Sequence, residues 1–269
     1  MASPSFDLFI GIDYSGADLP VKPLKSLQVF SSGPEGVVSK WVSPAATPAN
    51  PRNWTRTQIA RLLLDQARGG KRFLAGIDHC FSFPDSYFQR YGLSSWPAFL
   101  EDFVLHWPTH QADVSVESVR SGDQHKRGGP RKNARIGENH EFRLCERWTS
   151  SAKSVFLFDV QGAVAKSSHA GIPWLKHLRD EVGDRIHFWP FDGWMPAPGK
   201  SVVVEIYPSM FRRRFADEGR TADEQDAYAV ARWMAQMNQR GVLGSYFTPP
   251  LSDEERVLAA REGWIFGVV

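Results

Sequence analysis

Cysteine is scarce in this chain. Only Cys80 and Cys145 occur among its 269 residues, with no CxxC pair. That excludes a disulfide framework and the common structural zinc spacings. Net charge is nearly absent as well. Lys plus Arg number 32 against 30 for Asp plus Glu, a formal +2, which argues against a histone-like polycation but not against a local basic patch. Long hydrophobic runs are also missing. A membrane-spanning helix needs about 20 apolar residues, and no stretch of the chain approaches that. The opening MASPSFDLFIGID lacks a basic segment followed by a long apolar one, so no secretory leader is expected. A reduced, cytoplasmic protein with no membrane partner is the expectation.

What is present suits a folded protein. Hydrophobic residues make up 42% of the chain and aromatic ones 13%, an ordinary globular composition. The length fits one large α/β domain, and residues 1–269 read as a single one. Phe6 to Asp13 (FDLFIGID), Phe73 to Asp78 (FLAGID) and Val202 to Tyr207 (VVVEIY) are continuous apolar runs. Continuous hydrophobicity predicts strands covered on both faces, as in an α/β sheet. Gln28 to Phe30 and Val37 to Val42, separated by SSGPEG, predict a hairpin after the first strand. Thr55 and Gln58 form a capping box, and Ile59, Leu62, Leu63 and Gln66 follow at helical spacing up to Gly69-Gly70.

Val119 to Gly137 has glycines, a proline and a basic cluster but few apolar residues. It predicts a long mobile loop inserted in the domain. Beyond it a strand is expected over Ser154 to Asp159, a helix around Trp174 to Arg179, and a short strand over Ile186 to Trp189. Thr221 and Glu224 make a second capping box, predicting a helix from about Ala222 to Gln239. Ala229, Val230, Trp233 and Met237 form its apolar face, while Gln225, Arg232, Gln236 and Gln239 mark its wet side.

The candidate chemistry lies in carboxylates. Two apolar strands both end in Ile-Asp, at Asp13 and Asp78. Ligands of open α/β sheets bind at the carboxyl ends of strands, and an unpaired buried carboxylate is costly. Alone, either aspartate is a strand-ending turn residue; together they suggest a site. Asp226 falls on the apolar face of the late helix, with Asp223 one turn earlier. The helix dipole accounts for Asp223 better than for Asp226. Glu205, on the strand face of Val203 and Tyr207, is either another acidic ligand or a partner for Arg212, Arg213 or Arg214.

GIDYSGA (Gly11 to Ala17), AGIDHCFSFP (Ala75 to Pro84), VEIYPS (Val204 to Ser209), DEQDAYAVA (Asp223 to Ala231) and EGWIFGV (Glu262 to Val268) occur in this order. Together they resemble a family of RNase H-like proteins known only as predicted nucleases. The resemblance covers nearly the whole chain. It implies an α/β fold with an RNase H-like mixed sheet, extended by a hairpin and flanked by helices. The RNase H-like superfamily, which includes Holliday-junction resolvases, has one carboxylate on its first strand, another at the end of its fourth and one or two on a late helix. Those positions match Asp13, Asp78, Asp226 and Asp223. Glu205 matches a family motif without a settled catalytic counterpart.

The resemblance implies two-metal phosphodiester hydrolysis with Mg²⁺ or Mn²⁺, hard cations suited to carboxylate oxygens. Asp13 would bridge the ions, with Asp78 and Asp226 flanking. His79 is either a water-positioning group or a packed histidine, and Lys166 either a phosphate contact or a solvated lysine. Nucleic acid, DNA or RNA, is the expected partner. Lys126, Arg127, Arg131, Lys132 and Arg135 in the basic loop, and Arg212 to Arg214, are candidate phosphate contacts. Trp148, Trp174, Trp189 and Trp194 are candidate stacking platforms. GAVAKSS (Gly162 to Ser168) lacks the Walker A spacing. An actin-like or sugar-kinase-type phosphotransferase, with GIDYSG as phosphate loop and Asp78 as base, would need a second nucleotide-binding half. An inactive RNase H-like binding module is the remaining alternative.

Overall fold

The computed structural model describes residues 5–47, 49, 52–122, 134–149 and 152–269. In chain order these form β1 (Leu8–Asp13), β2 (Gln28–Ser32), β3 (Val38–Trp41), α1 (Arg56–Arg68), β4 (Phe73–Ile77), α2 (Asp85–Tyr91), α3 (Trp96–His106), α4 (Val116–Arg120), α5 (Leu144–Trp148), α6 (Ala165–Val182), β5 (Ile186–Phe188), β6 (Ser201–Glu205), α7 (Ala222–Gln239) and α8 (Asp253–Glu262). The strands make one sheet in the order β3-β2-β1-β4-β6-β5. β1, β2 and β3 pair antiparallel as the predicted hairpin extension, whereas β1, β4, β6 and β5 run parallel. The fold is thus mixed α/β, a central sheet flanked by helices. Among the described residues no helix is long and apolar enough to cross a membrane.

The pleat divides the core. Ile10, Ile12, Phe73, Ala75, Ile77 and Val203 face one side with residues of α1, α3 and α6. Phe9, Leu74, Val202 and Val204 face the other with α7 and the C-terminal segment. On this second side Gly11 and Gly76 stand opposite each other in the β1–β4 register. A Cβ on Gly11 would lie 2.1 Å from the Ala227 carbonyl oxygen, and one on Gly76 would lie 2.9 Å from Val230 Cγ1. The two glycines make a bare patch on which α7 rests backbone against strand. Both predicted capping boxes form, at Thr55–Gln58 and Thr221–Glu224.

Several expectations are corrected. Ser154 to Asp159 is not a strand. Leu157 N–H donates to the Ser154 carbonyl and Phe156 N–H to the Ser154 hydroxyl, so the segment closes into a turn that buries Val155 and Phe156. An apolar run with a local hydrogen-bond partner at its start does not need a sheet edge. The inserted segment also begins later than predicted, because Val116–Arg120 is helical with a Ser115 cap; residues 123–133 lie outside the described part. Gln225 is buried, not on a wet side. It donates to the carbonyls of Arg212 and Phe215 and accepts from Arg220, binding the start of α7 to the turn before it.

The close approach at Gly11 yields a test. Gly11→Ala forces the helix off the strand and should cost about 3 kcal/mol, lowering the melting temperature by roughly 5–10 °C for a chain of this size. An unchanged melting temperature would contradict the backbone contact.

Candidate carboxylate site

The alternation of the sheet positions the first two carboxylates. Asp13 is two residues beyond Gly11, and Asp78 two beyond Gly76, so each aspartate points to the face that α7 covers. The ladder continues to this point, with Asp78 N–H donating to the Ile12 carbonyl at 3.0 Å. Asp226 precedes Ala227, the residue seated on Gly11, which brings a third carboxylate down on the same rim. Asp223 is one helical turn nearer the start of α7.

Like charges meet there. Asp13 is buried, and burial raises its pKa well above the ordinary carboxylate value, with repulsion from Asp78, Asp223 and Asp226 adding and Arg212 opposing. Asp78 is pushed up to about 8, first by burial and then by Asp226 and Glu205; Arg212 and a side-chain hydrogen bond with Asp13 oppose the rise. Asp226 is pushed up to about 6 by burial, against the pull of Arg212. Asp223 is raised by burial, again with Arg212 opposing. Each of the two carboxyl groups shifts the other, so Asp13 and Asp78 titrate as a pair. Among the described residues Arg212 is the one cation acting on all four groups, with its Nε 3.0 Å from Asp226 Oδ1.

Glu205 acts on Asp78, but its own oxygens are bound elsewhere. It shares the pleat with Val203 and pairs in register with Ile77, residues of the opposite core. There Arg143 takes both its oxygens at 2.7 and 2.5 Å, and Phe81 N–H donates at 3.0 Å. Its partner is therefore Arg143 and not one of Arg212, Arg213 or Arg214. Arg143 is fully buried, also binds Glu146 at 2.8 Å and reaches the Glu262 carbonyl at 3.2 Å. Sequence reasoning missed this cluster. The residues are far apart in the chain, and Arg143 follows the basic loop, where arginine reads as solvated.

His79 is packed. Its ring lies 4.7 Å from Tyr14 and 5.0 Å from Phe81, above Gly171, where any Cβ would strike it. Nδ1–H donates to the Cys80 carbonyl, and burial pulls the pKa down to about 4, leaving the ring neutral.

The candidate nucleic-acid residues scatter. Lys126, Arg127, Arg131 and Lys132 lie outside the described residues. Arg135 is 2.6 Å from Asp102 and lies over the Tyr91 ring. Lys166 is half-exposed, 3.4 Å from Glu117, and its carbonyl abuts Gly16 in the loop after β1. Trp189 is fully buried and Trp174 nearly so, so neither is a stacking platform. Trp148 is exposed, edge-on to Trp264.

Among the described residues no group of three or more His, Cys, Asp or Glu side chains forms a ready-made metal site. No family model, curated protein or solved structure matches the chain.

The raised acidity constants fix a pH dependence. Folded Asp78 keeps its proton up to about pH 8, whereas an ordinary aspartate releases it near 3.8. Between these values the native state holds more protons than the unfolded state, so this group makes stability fall as pH rises. Asp78→Asn removes that loss. Its stability relative to wild type should climb between pH 4 and 8, at up to about 1.4 kcal/mol per pH unit. Denaturant melts of both proteins across this range check it; a constant difference would contradict the raised Asp78 acidity constant.

Proposed function

We propose that this chain is a metal-dependent nuclease of the RNase H-like type, cleaving nucleic-acid phosphodiester bonds at Asp13, Asp78 and Asp226, with Asp223 beside them. One observation carries the reading. Carboxylates from the first strand, the end of the fourth and a late helix meet on one rim, and burial and mutual repulsion raise their affinity for positive charge. The hairpin-extended mixed sheet agrees with the arrangement that the sequence resemblance implies.

The donor set fits a hard divalent cation in its chemistry. It consists of carboxylate oxygens alone, and the site carries more negative charge than Arg212 neutralises. Asp226 Oδ1 is buried and has no hydrogen-bond donor among the described residues. The fit does not rest on preformed geometry, because Arg212 stands against Asp226 where an ion would act. Asp13, Asp78 and Asp226 would hold Mg²⁺ or Mn²⁺. The bound ions supply an activated water and neutralise charge on the leaving oxygen. The chain's own part is to orient these carboxylates on rigid strands and a helix and to keep them desolvated. A phosphotransferase of the actin type gains no support, since the described strands form one sheet.

Calorimetric titration of Mn²⁺ into wild type, Asp13→Asn and Asp226→Asn tests the reading, followed by cleavage of single-stranded DNA and RNA. Both variants should lose Mn²⁺ binding, and Asp13→Asn should cut cleavage by about a hundredfold or more while melting no lower than wild type. Undiminished cleavage by Asp13→Asn would contradict the proposal.

A further inference from the structure

Four carboxylates share the rim, and among the described residues Arg212 is the one cation acting on all of them. Arg212 belongs to the short turn Arg212–Arg214, between β6 and α7. Its main-chain carbonyl is held by the buried Gln225 side chain on α7, so the backbone is anchored while the side chain is half-exposed. The contact with Asp226 is close, at 3.0 Å, yet Asp226 Oδ1 receives no hydrogen bond. The attraction is Coulombic and lacks the directional bonding that makes an arginine–carboxylate pair strong. Arg143 shows the alternative in the same molecule: fully buried, with two hydrogen bonds to Glu205 and one to Glu146.

We infer that Arg212 is a built-in, displaceable counter-ion of the carboxylate site, standing in for a divalent cation and competing with it. The inference rests on the metal-site reading above. A single guanidinium charge, in contact with Asp226 alone, leaves the cluster under-neutralised. A divalent cation carries twice that charge and binds oxygen directly. When it enters, the Arg212 side chain turns out to water, with no buried charge left behind because it is already half-exposed. Each cation must overcome the same Arg212–carboxylate attraction, so this residue sets the affinity of the site for metal.

Mn²⁺ titration by calorimetry of wild type, Arg212→Gln, Arg212→Lys and Arg213→Gln tests this. Arg212→Gln should bind Mn²⁺ roughly tenfold more tightly than wild type, and its melting temperature in EDTA should be lower but rise further on adding Mn²⁺. Arg212→Lys keeps the charge and should stay close to wild type. Arg213→Gln removes the same charge from an exposed neighbour and should change the affinity by less than about twofold. Binding by Arg212→Gln where wild type binds nothing would also support the inference. Equal or weaker binding by Arg212→Gln, or an equal gain in Arg213→Gln, would overturn it while leaving the metal site standing. Absence of Mn²⁺ binding in all four proteins would overturn the inference together with the nuclease reading.

Discussion

The backbone contact between α7 and the paired glycines of β1 and β4 is the constraint on which the rest depends. A side chain at Gly11 would meet the carbonyl of Ala227, so the helix can lie this close only over glycine. Because strand residues alternate, the same choice sends Asp13 and Asp78 toward the helix. Because Ala227 is the seat, Asp226 arrives beside them. Two turns of packing thus convert a sheet geometry into a carboxylate cluster, with no loop needed to aim it.

The molecule holds its acidic groups in two different ways, and the contrast separates architecture from chemistry. Around Arg143, carboxylates are matched by hydrogen-bonded charge: Glu205 and Glu146 bond to the guanidinium, and the Glu262 side chain accepts from the main-chain N–H groups of Asp85 and Leu144. Such a cluster ties α5, β6 and the C-terminal segment together, and breaking it leaves a buried unpaired charge. At the rim near α7 the matching is incomplete. Among the described residues, four aspartates face one cation that makes no hydrogen bond to its partner oxygen. Raised carboxylate pKa values and ligand sites at the carboxyl ends of parallel strands are both features found at functional sites, and they motivate the cation-site proposal.

Much of this was readable from local pattern. The capping boxes at Thr55 and Thr221 fix helix starts through backbone N–H groups a few residues away, so short-range spacing suffices. The Ile-Asp strand ends were visible for the same reason. What escaped was set by distant partners. Glu205 looked available because Arg143 is 62 residues away in sequence. Gln225 looked solvent-facing because the turn that buries it comes from the chain before α7. Phe156 looked like a strand residue because the sequence does not show Ser154 supplying a turn instead. Trp189 looked like a base-stacking surface until the rings of Trp194, Phe247 and Phe266 closed around it.

The aspartates of the rim, on the reading proposed above, are a cation site and not a structural carboxyl pair. Diffraction from crystals grown with Mn²⁺, recorded at the manganese absorption edge, tests it most directly. An anomalous peak bounded by Asp13, Asp78 and Asp226 is expected, with the Arg212 side chain moved away from Asp226. Manganese bound elsewhere while Arg212 still sits against Asp226, or no manganese at all, would contradict it.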